Sequence, residues 1–124
     1  MFVLSGSSSV FGADTAVINA ITAPVGYAVG GSDDIAGANA SADYAELEAG
    51  IPAMIVSRSS GDHMTVSTDP EILPEVAEIA LNWMDLALNG TQEAADALNS
   101  QNVCDSCTPG VWMLQSKNLE TLLQ

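Results

Sequence analysis

The sequence predicts an α/β fold with about three parallel strands and flanking helices. Three observations lead there. Short apolar runs at residues 25–29 and 53–56 each stop at a glycine or polar cluster, as buried strands do. Helical periodicity occupies the stretches between and after them, most clearly at residues 69–90. Strands that alternate with helices pair in parallel through right-handed crossovers.

Each element has a local signal. Residues 2–5 read as a short strand, followed by the Gly/Ser-rich turn Gly6-Ser7-Ser8-Ser9. Residues 14–21 have weak helical character, and Pro24 ends it because the residue before proline avoids the α region. After the strand at 25–29, Asn39 or Ser41 is a candidate cap for a helix over 42–49, with Gly50 as the residue that closes it. The strand at 53–56 leads into a polar loop, 57–68, that holds Gly61-Asp62-His63. Asp69-Pro70 is a helix start, with Asp as cap and Pro in the first turn. Val76, Ile79, Ala80, Trp83, Leu86 and Ala87 then line one helical face as far as Gly90. Thr91 caps a second short helix to about residue 98. The tail around Trp112 reads as loop or short strand, and 117–123 as a terminal helix. Trp83 and Trp112 read as packing residues.

Composition bounds the rest. The chain has 124 residues, which suits one domain, 1–124, with a modest core. An apolar fraction of 48% argues against disorder. Only two side chains are basic, Arg58 and Lys117, against 16 Asp and Glu, for a net charge of −14. The resulting field repels nucleic acid and anionic membranes, so neither is an expected partner. No run approaches the ~18 apolar residues that span a bilayer. Residues 1–4 lack the basic region of a signal peptide and read as a strand entered at once, as if inside a larger domain.

The chemistry gathers at strand ends. In open α/β sheets, sites form just beyond the carboxyl ends of the strands. The first buried run ends in Gly30-Gly31-Ser32-Asp33-Asp34, and the second leads to His63, the chain's single histidine. An acid can fix the tautomer of an imidazole that accepts a serine proton. In α/β-hydrolases the chain order is nucleophile, acid, histidine, and Asp34 precedes His63 accordingly. The plainer reading makes His63 a polar surface residue. Asp33, Asp34, Asp62 and His63 also have the composition of an acidic cation loop, though such loops bind ions fortuitously, and no metal or organic cofactor is expected.

These residues carry a resemblance. Ala23-Pro-Val-Gly-Tyr-Ala-Val-Gly-Gly-Ser-Asp-Asp-Ile-Ala36, the Gly-Asp-His loop, and Ala80-Leu-Asn-Trp-Met-Asp-Leu-Ala-Leu-Asn-Gly90 are followed by an acidic helix, a Cys-x-x-Cys and a tryptophan. Over residues 23–117 the chain resembles the C-terminal half of an α/β-hydrolase family of bacterial and fungal, often secreted, proteins. The resemblance implies a partial α/β-hydrolase fold and an esterase-type Ser-Asp-His triad acting on a small-molecule carboxylic ester. It places the acid at Asp34, with Asp33 as neighbour, and the histidine at His63. The family's glycine after the histidine is Met64 here. Gly6-Ser7-Ser8-Ser9-Val10 meets only part of the Gly-x-Ser-x-Gly elbow, so Ser8 reads as a turn residue beside the cleft. A compact triad of Ser8, Asp34 and His63 is the lesser alternative. The serine and oxyanion hole are expected in an N-terminal half upstream of Met1, and the chain alone is expected to be inactive. The rival reading is a stand-alone binding or scaffold module with a vestigial site, a homodimer in one version.

Cys104 and Cys107 are open to three readings: a local disulfide, free thiols, or metal ligands. Zinc prefers four ligands and only His63 adds a nitrogen, so a loop-stapling disulfide is favoured. With the resemblance, the pair favours a secreted or periplasmic location.

Overall fold

The computed structural model describes residues 1–4, 14–31, 35–62 and 64–124. Its elements in chain order are β1 (Phe2–Leu4), α1 (Thr15–Ile18), β2 (Val25–Gly30), α2 (Ile35–Glu46), β3 (Ala53–Arg58), α3 (Thr65–Thr68), α4 (Leu73–Asn89), α5 (Gln92–Leu98) and β4 (Trp112–Lys117). The strands form one open four-stranded sheet in the order β1-β2-β3-β4. β1, β2 and β3 are parallel, as expected, with Phe2 beside Gly26 and Val25 beside Ala53. β4 runs antiparallel to β3, Lys117 opposite Ala53 and Trp112 opposite Arg58. The fold is therefore a small α/β domain with a mixed sheet.

The sheet lies between two helical layers because its strands alternate. Val25, Tyr27, Val29, Ala53 and Ile55 pack with Ile18, Ala40 and Leu47 of the α1–α2 side. Ala28, Met54 and Val56 face the other way, onto Val76, Ile79, Trp83, Leu86 and Leu98 of α4 and α5. Each large side chain removed from water contributes about 1.5–3 kcal/mol. Trp83, with no exposed surface, is the largest. Its indole N–H donates to the Met1 carbonyl at 3.0 Å, which ties α4 to the start of β1. Gly26 lies beneath this ring. A Cβ there would stand 2.9 Å from Phe2 and 3.0 Å from Trp83, so the position has no room for a side chain.

Four elements differ from the sequence reading. α2 begins at Ile35 rather than residue 42, so Asn39 and Ser41 are interior to it, and the Ser41 hydroxyl donates back to the Gly37 carbonyl at 2.9 Å. Its run of Ala, Gly and Ser lets the helix lie close on the sheet, with Ala40 fully buried, but gives little periodicity to read. Gly50 stands in the turn after α2 and not in a left-handed cap. α3 forms inside the expected loop 57–68. α4 starts at Leu73 with Pro74 in its first turn, because Asp69 instead closes the preceding turn, accepting from the Glu71 N–H at 3.0 Å. The expected helix at 117–123 is the end of β4 followed by a 3₁₀ turn, Leu119–Leu122. β4 pairs with β3 along its whole length, and those ladder bonds outweigh a weak local preference. Other readings match. Gly90 closes α4 at φ 63°, and Thr91 caps α5 by accepting from the Ala94 N–H at 3.3 Å.

Two clasps secure the side of the sheet next to β4. Cys104 and Cys107 form a disulfide, Cα to Cα 5.1 Å. Glu78 of α4 accepts from the Asp105 N–H at 2.6 Å, the Ser106 N–H at 3.1 Å, and the Ser106 hydroxyl. Glu75, one turn earlier, accepts from Thr108 and from the Trp112 indole N–H at 2.6 Å. At the other end of β4, Lys117 donates to the Tyr44 and Leu47 carbonyls at 2.9 and 3.0 Å, where the α2 dipole is negative. Among the described residues no helix is long and apolar enough to cross a membrane.

Candidate functional site

β2 and β3 end in register, Gly30 beside Arg58, and the Gly31 N–H donates to the Arg58 carbonyl at 3.1 Å. Beyond that bond the two chain segments press together. Gly31 has φ 78° and Gly61 φ 109°, conformations that side-chain-bearing residues avoid. A Cβ at Gly31 would collide with the Gly61 carbonyl, and one at Gly30 with the Asp62 carbonyl. The glycine pair thus lets one backbone rest directly on the other. Gly31 leads toward Asp33 and Asp34; Gly61 and Asp62 lead to His63.

Asp33, Asp34 and His63 themselves lie outside the described residues, as does Ser8. What the structure brings together is their described flanks. The loop that precedes His63 is held by a reciprocal pair. Asp62 Oδ1 accepts from the Met64 N–H at 2.9 Å and the Thr65 N–H at 3.2 Å, while the Asp62 N–H donates to the Thr65 hydroxyl at 2.8 Å. This arrangement fixes the turn that leads into α3 and engages Asp62 Oδ1 with the backbone. Of the cation cluster suggested by the sequence, Asp62 alone is described, and among the described residues no group of three His, Cys, Asp or Glu is disposed to hold a metal.

Arg58 belongs to this end of the sheet and was not singled out from the sequence. Its side chain shares a sheet face with Met54 and Val56, between Gly30 and Trp112 in the ladder. Nη1 donates to the Ser60 carbonyl at 3.2 Å and hydroxyl at 2.8 Å. Nε is buried and meets no acceptor among the described residues. A buried unpaired donor of this kind costs about 1–3 kcal/mol, and more when charged. The neighbouring Ser59 N–H donates to the Val111 carbonyl at 2.8 Å, so the loop leaving β3 is also tied to the disulfide side. A signal was present: one of only two basic residues in the chain stands at the end of a buried run.

The other polar features are structural. Burial raises the Tyr27 hydroxyl to about 12, and the neighbouring buried Asp43 adds to the shift, so Tyr27 stays protonated. Burial lowers the Lys117 ammonium, which also lies 5.0 Å from the Tyr44 ring centre in a cation–π contact. A groove of about 220 Å³ lined by Gln92, Asn99, Ser116, Asn118 and Glu120 opens at that far end of the sheet, away from the Gly31–Gly61 contact. No protein-family model matches the chain, and no curated protein shows significant similarity to it.

Proposed function

We propose that this chain is the acid-and-histidine half of an α/β-hydrolase that cleaves small-molecule carboxylic esters. In this reading β1, β2 and β3 correspond to the last three parallel strands of a hydrolase sheet. His63 accepts the proton of a serine nucleophile, and Asp34 holds the imidazole in the required tautomer. The serine and the oxyanion donors come from a nucleophile-bearing half. The observation that carries the reading is the backbone contact of Gly30 and Gly31 with Gly61 and Asp62. It draws together the two segments from which the proposed acid and base emerge. The residue order and the position beyond parallel strand ends agree with it.

The test is hydrolysis of a short-chain p-nitrophenyl ester. The isolated chain is expected to show no turnover, and a complete enzyme containing it to lose about 10³-fold or more of kcat on His63→Ala or Asp34→Ala. Unchanged turnover in those variants overturns the proposal. Turnover by the isolated chain that disappears in Ser8→Ala favours the compact triad instead.

A second reading, a scaffold module that dimerises, draws on one observation. Leu81 and Leu88 of α4 are 69% and 67% exposed, with Met84 between them also exposed. A sedimentation equilibrium that fits a monomer at all concentrations excludes the dimer.

A further inference from the structure

We propose that the exposed flank of α4 is the docking surface for a basic amphipathic helix of another polypeptide, and not for a second copy of this chain. The inference does not depend on the hydrolase reading; on that reading the helix belongs to the nucleophile-bearing half.

α4 is apolar over far more of its circumference than its own chain covers. Its polar residues, Glu75, Glu78, Asn82, Asp85 and Asn89, fall within about 80° of arc at about 100° per residue. A helix that packs on a single layer needs an apolar stripe of about 100°. Val76, Ile79, Trp83 and Leu86 supply that stripe, buried in the core. A second stripe remains. Pro74, Ala77, Leu81, Met84 and Leu88 are all exposed, and they recur at alternating spacings of three and four. That is the a/d seam by which one helix packs along another, so the occupant is a helix.

The borders of the seam set the partner's charge. Glu78 follows Ala77 and Asp85 follows Met84, which puts both acids at e positions along one side. Hydrogen bonds from Ser106 to Glu78, and from Asn89 and Thr91 to Asp85, hold both carboxyls below their usual range, so they stay ionised. On the other side the g positions are Ala80 and Ala87, which add no charge. Neither of the chain's two cations is spent on these acids: Arg58 holds Ser60, and Lys117 holds the α2 carbonyls. A second copy would bring its own charge of −14 to this surface. Lys or Arg beside the partner's seam turns the same field into attraction.

The flank lies on the β1 side of α4. Glu75, across the buried stripe from it, reaches Trp112 of β4, whereas Trp83 within the stripe reaches Met1. Among the described residues no further strand lies beyond β1.

The experiment titrates the purified, methyl-labelled chain with synthetic three-heptad peptides, followed by two-dimensional NMR. The first peptide has Leu at a and d and Lys at e and g. The second has Glu in place of Lys, and the third scrambles the order of the first while keeping its charge. Saturable shifts of the Leu81, Met84 and Leu88 methyl signals are expected with the first alone. The double variant Leu81→Ser, Leu88→Ser leaves the net charge unchanged and should weaken that binding by about tenfold or more. Its thermal midpoint reports that it is folded; if it is not, Leu81→Ser alone decides. Equal binding of the Glu or the scrambled peptide, unchanged affinity in the variant, or no saturable shift overturns the proposal. So does self-association of the chain that the double variant abolishes, which makes a second copy the occupant. The ester assay with His63→Ala decides the hydrolase reading separately, and either of its outcomes leaves this binding result standing.

Discussion

Gly30 and Gly31 allow two loops to touch that no other residue pair could bring so close. The Gly31 position combines a left-handed φ with a carbonyl where a Cβ would go, so Gly31→Ala suffers both strain and collision. An expected loss of about 1–3 kcal/mol should appear as a lower urea midpoint. Gly50 is the control. It has open space around it and no positive φ, so Gly50→Ala should leave stability unchanged or raise it by up to about 1 kcal/mol. The glycine pair was legible in the sequence as the end of a strand. Its reason was not, since the colliding atoms belong to residues thirty positions on. Glu78 shows the same limit. Hydrogen bonds from the Ser106 hydroxyl, and then from the Asp105 and Ser106 N–H groups, hold its carboxyl below the usual range against the opposing effect of burial. A carboxyl depressed in the folded state contributes stability above its unfolded value near 4.3, and that contribution fades as pH falls through the folded value. Glu78→Gln should therefore flatten the acid limb of thermal midpoint against pH while changing its slope little above neutrality. An acid limb identical to that of the unmodified chain would show that the clasp contributes nothing.

Elements built on large side chains were readable; those built on small ones or on distant partners were not. α4 announces itself through Val76, Ile79, Trp83 and Leu86, and its end through Gly90 and Thr91. α2 hides in Ala, Gly and Ser, whose value lies in how near they let the helix approach Ala28's sheet. β4 is specified less by its own sequence than by the unfilled edge of β3 and by the loop that delivers it. That delivery depends on the clasp of Glu75, Glu78 and the disulfide, with Trp112 anchored to Glu75. The disulfide spans three positions, and a loop that short constrains the unfolded chain by about 2 kcal/mol. Both cysteines are buried against the α4 layer, so the double substitution Cys104→Ser, Cys107→Ser removes the constraint and places hydroxyls in apolar surroundings. A loss of about 2 kcal/mol or more in urea unfolding is expected, along with faster amide exchange along β4. Unaltered β4 protection would mean that the carboxylates alone deliver the strand.

At the scale of the whole molecule, α4 carries a group of exposed apolar side chains along one flank. Glu75 and Glu78 look toward the disulfide loop, and helical spacing of about 100° per residue gathers Leu73, Leu81, Met84 and Leu88 in a separate sector whose nearer edge, at Leu81, is about 60° from Glu78. Asp85 borders that sector, four residues after Leu81 and three before Leu88, and its carboxylate accepts from Asn89 and Thr91. α4 is also bound to Met1 through Trp83, and the outer edge of β1 has no strand partner among the described residues. An exposed apolar flank beside a parallel edge unpaired among the described residues fits the hydrolase reading, in which a nucleophile-bearing half continues the sheet past β1 and packs against α4. Self-association fits less well, since it sets one charge of −14 against another. The double variant Leu81→Glu, Leu88→Glu separates the two uses of the helix. Both side chains are largely exposed, so thermal stability should stay within about 0.5 kcal/mol of the unmodified chain. On the hydrolase reading, the unmodified chain mixed with a nucleophile-bearing half should restore ester hydrolysis, and the variant should fail to do so. Full restoration by the variant would place the junction elsewhere, and a loss of stability in the variant alone would mean that the flank already packs within this chain.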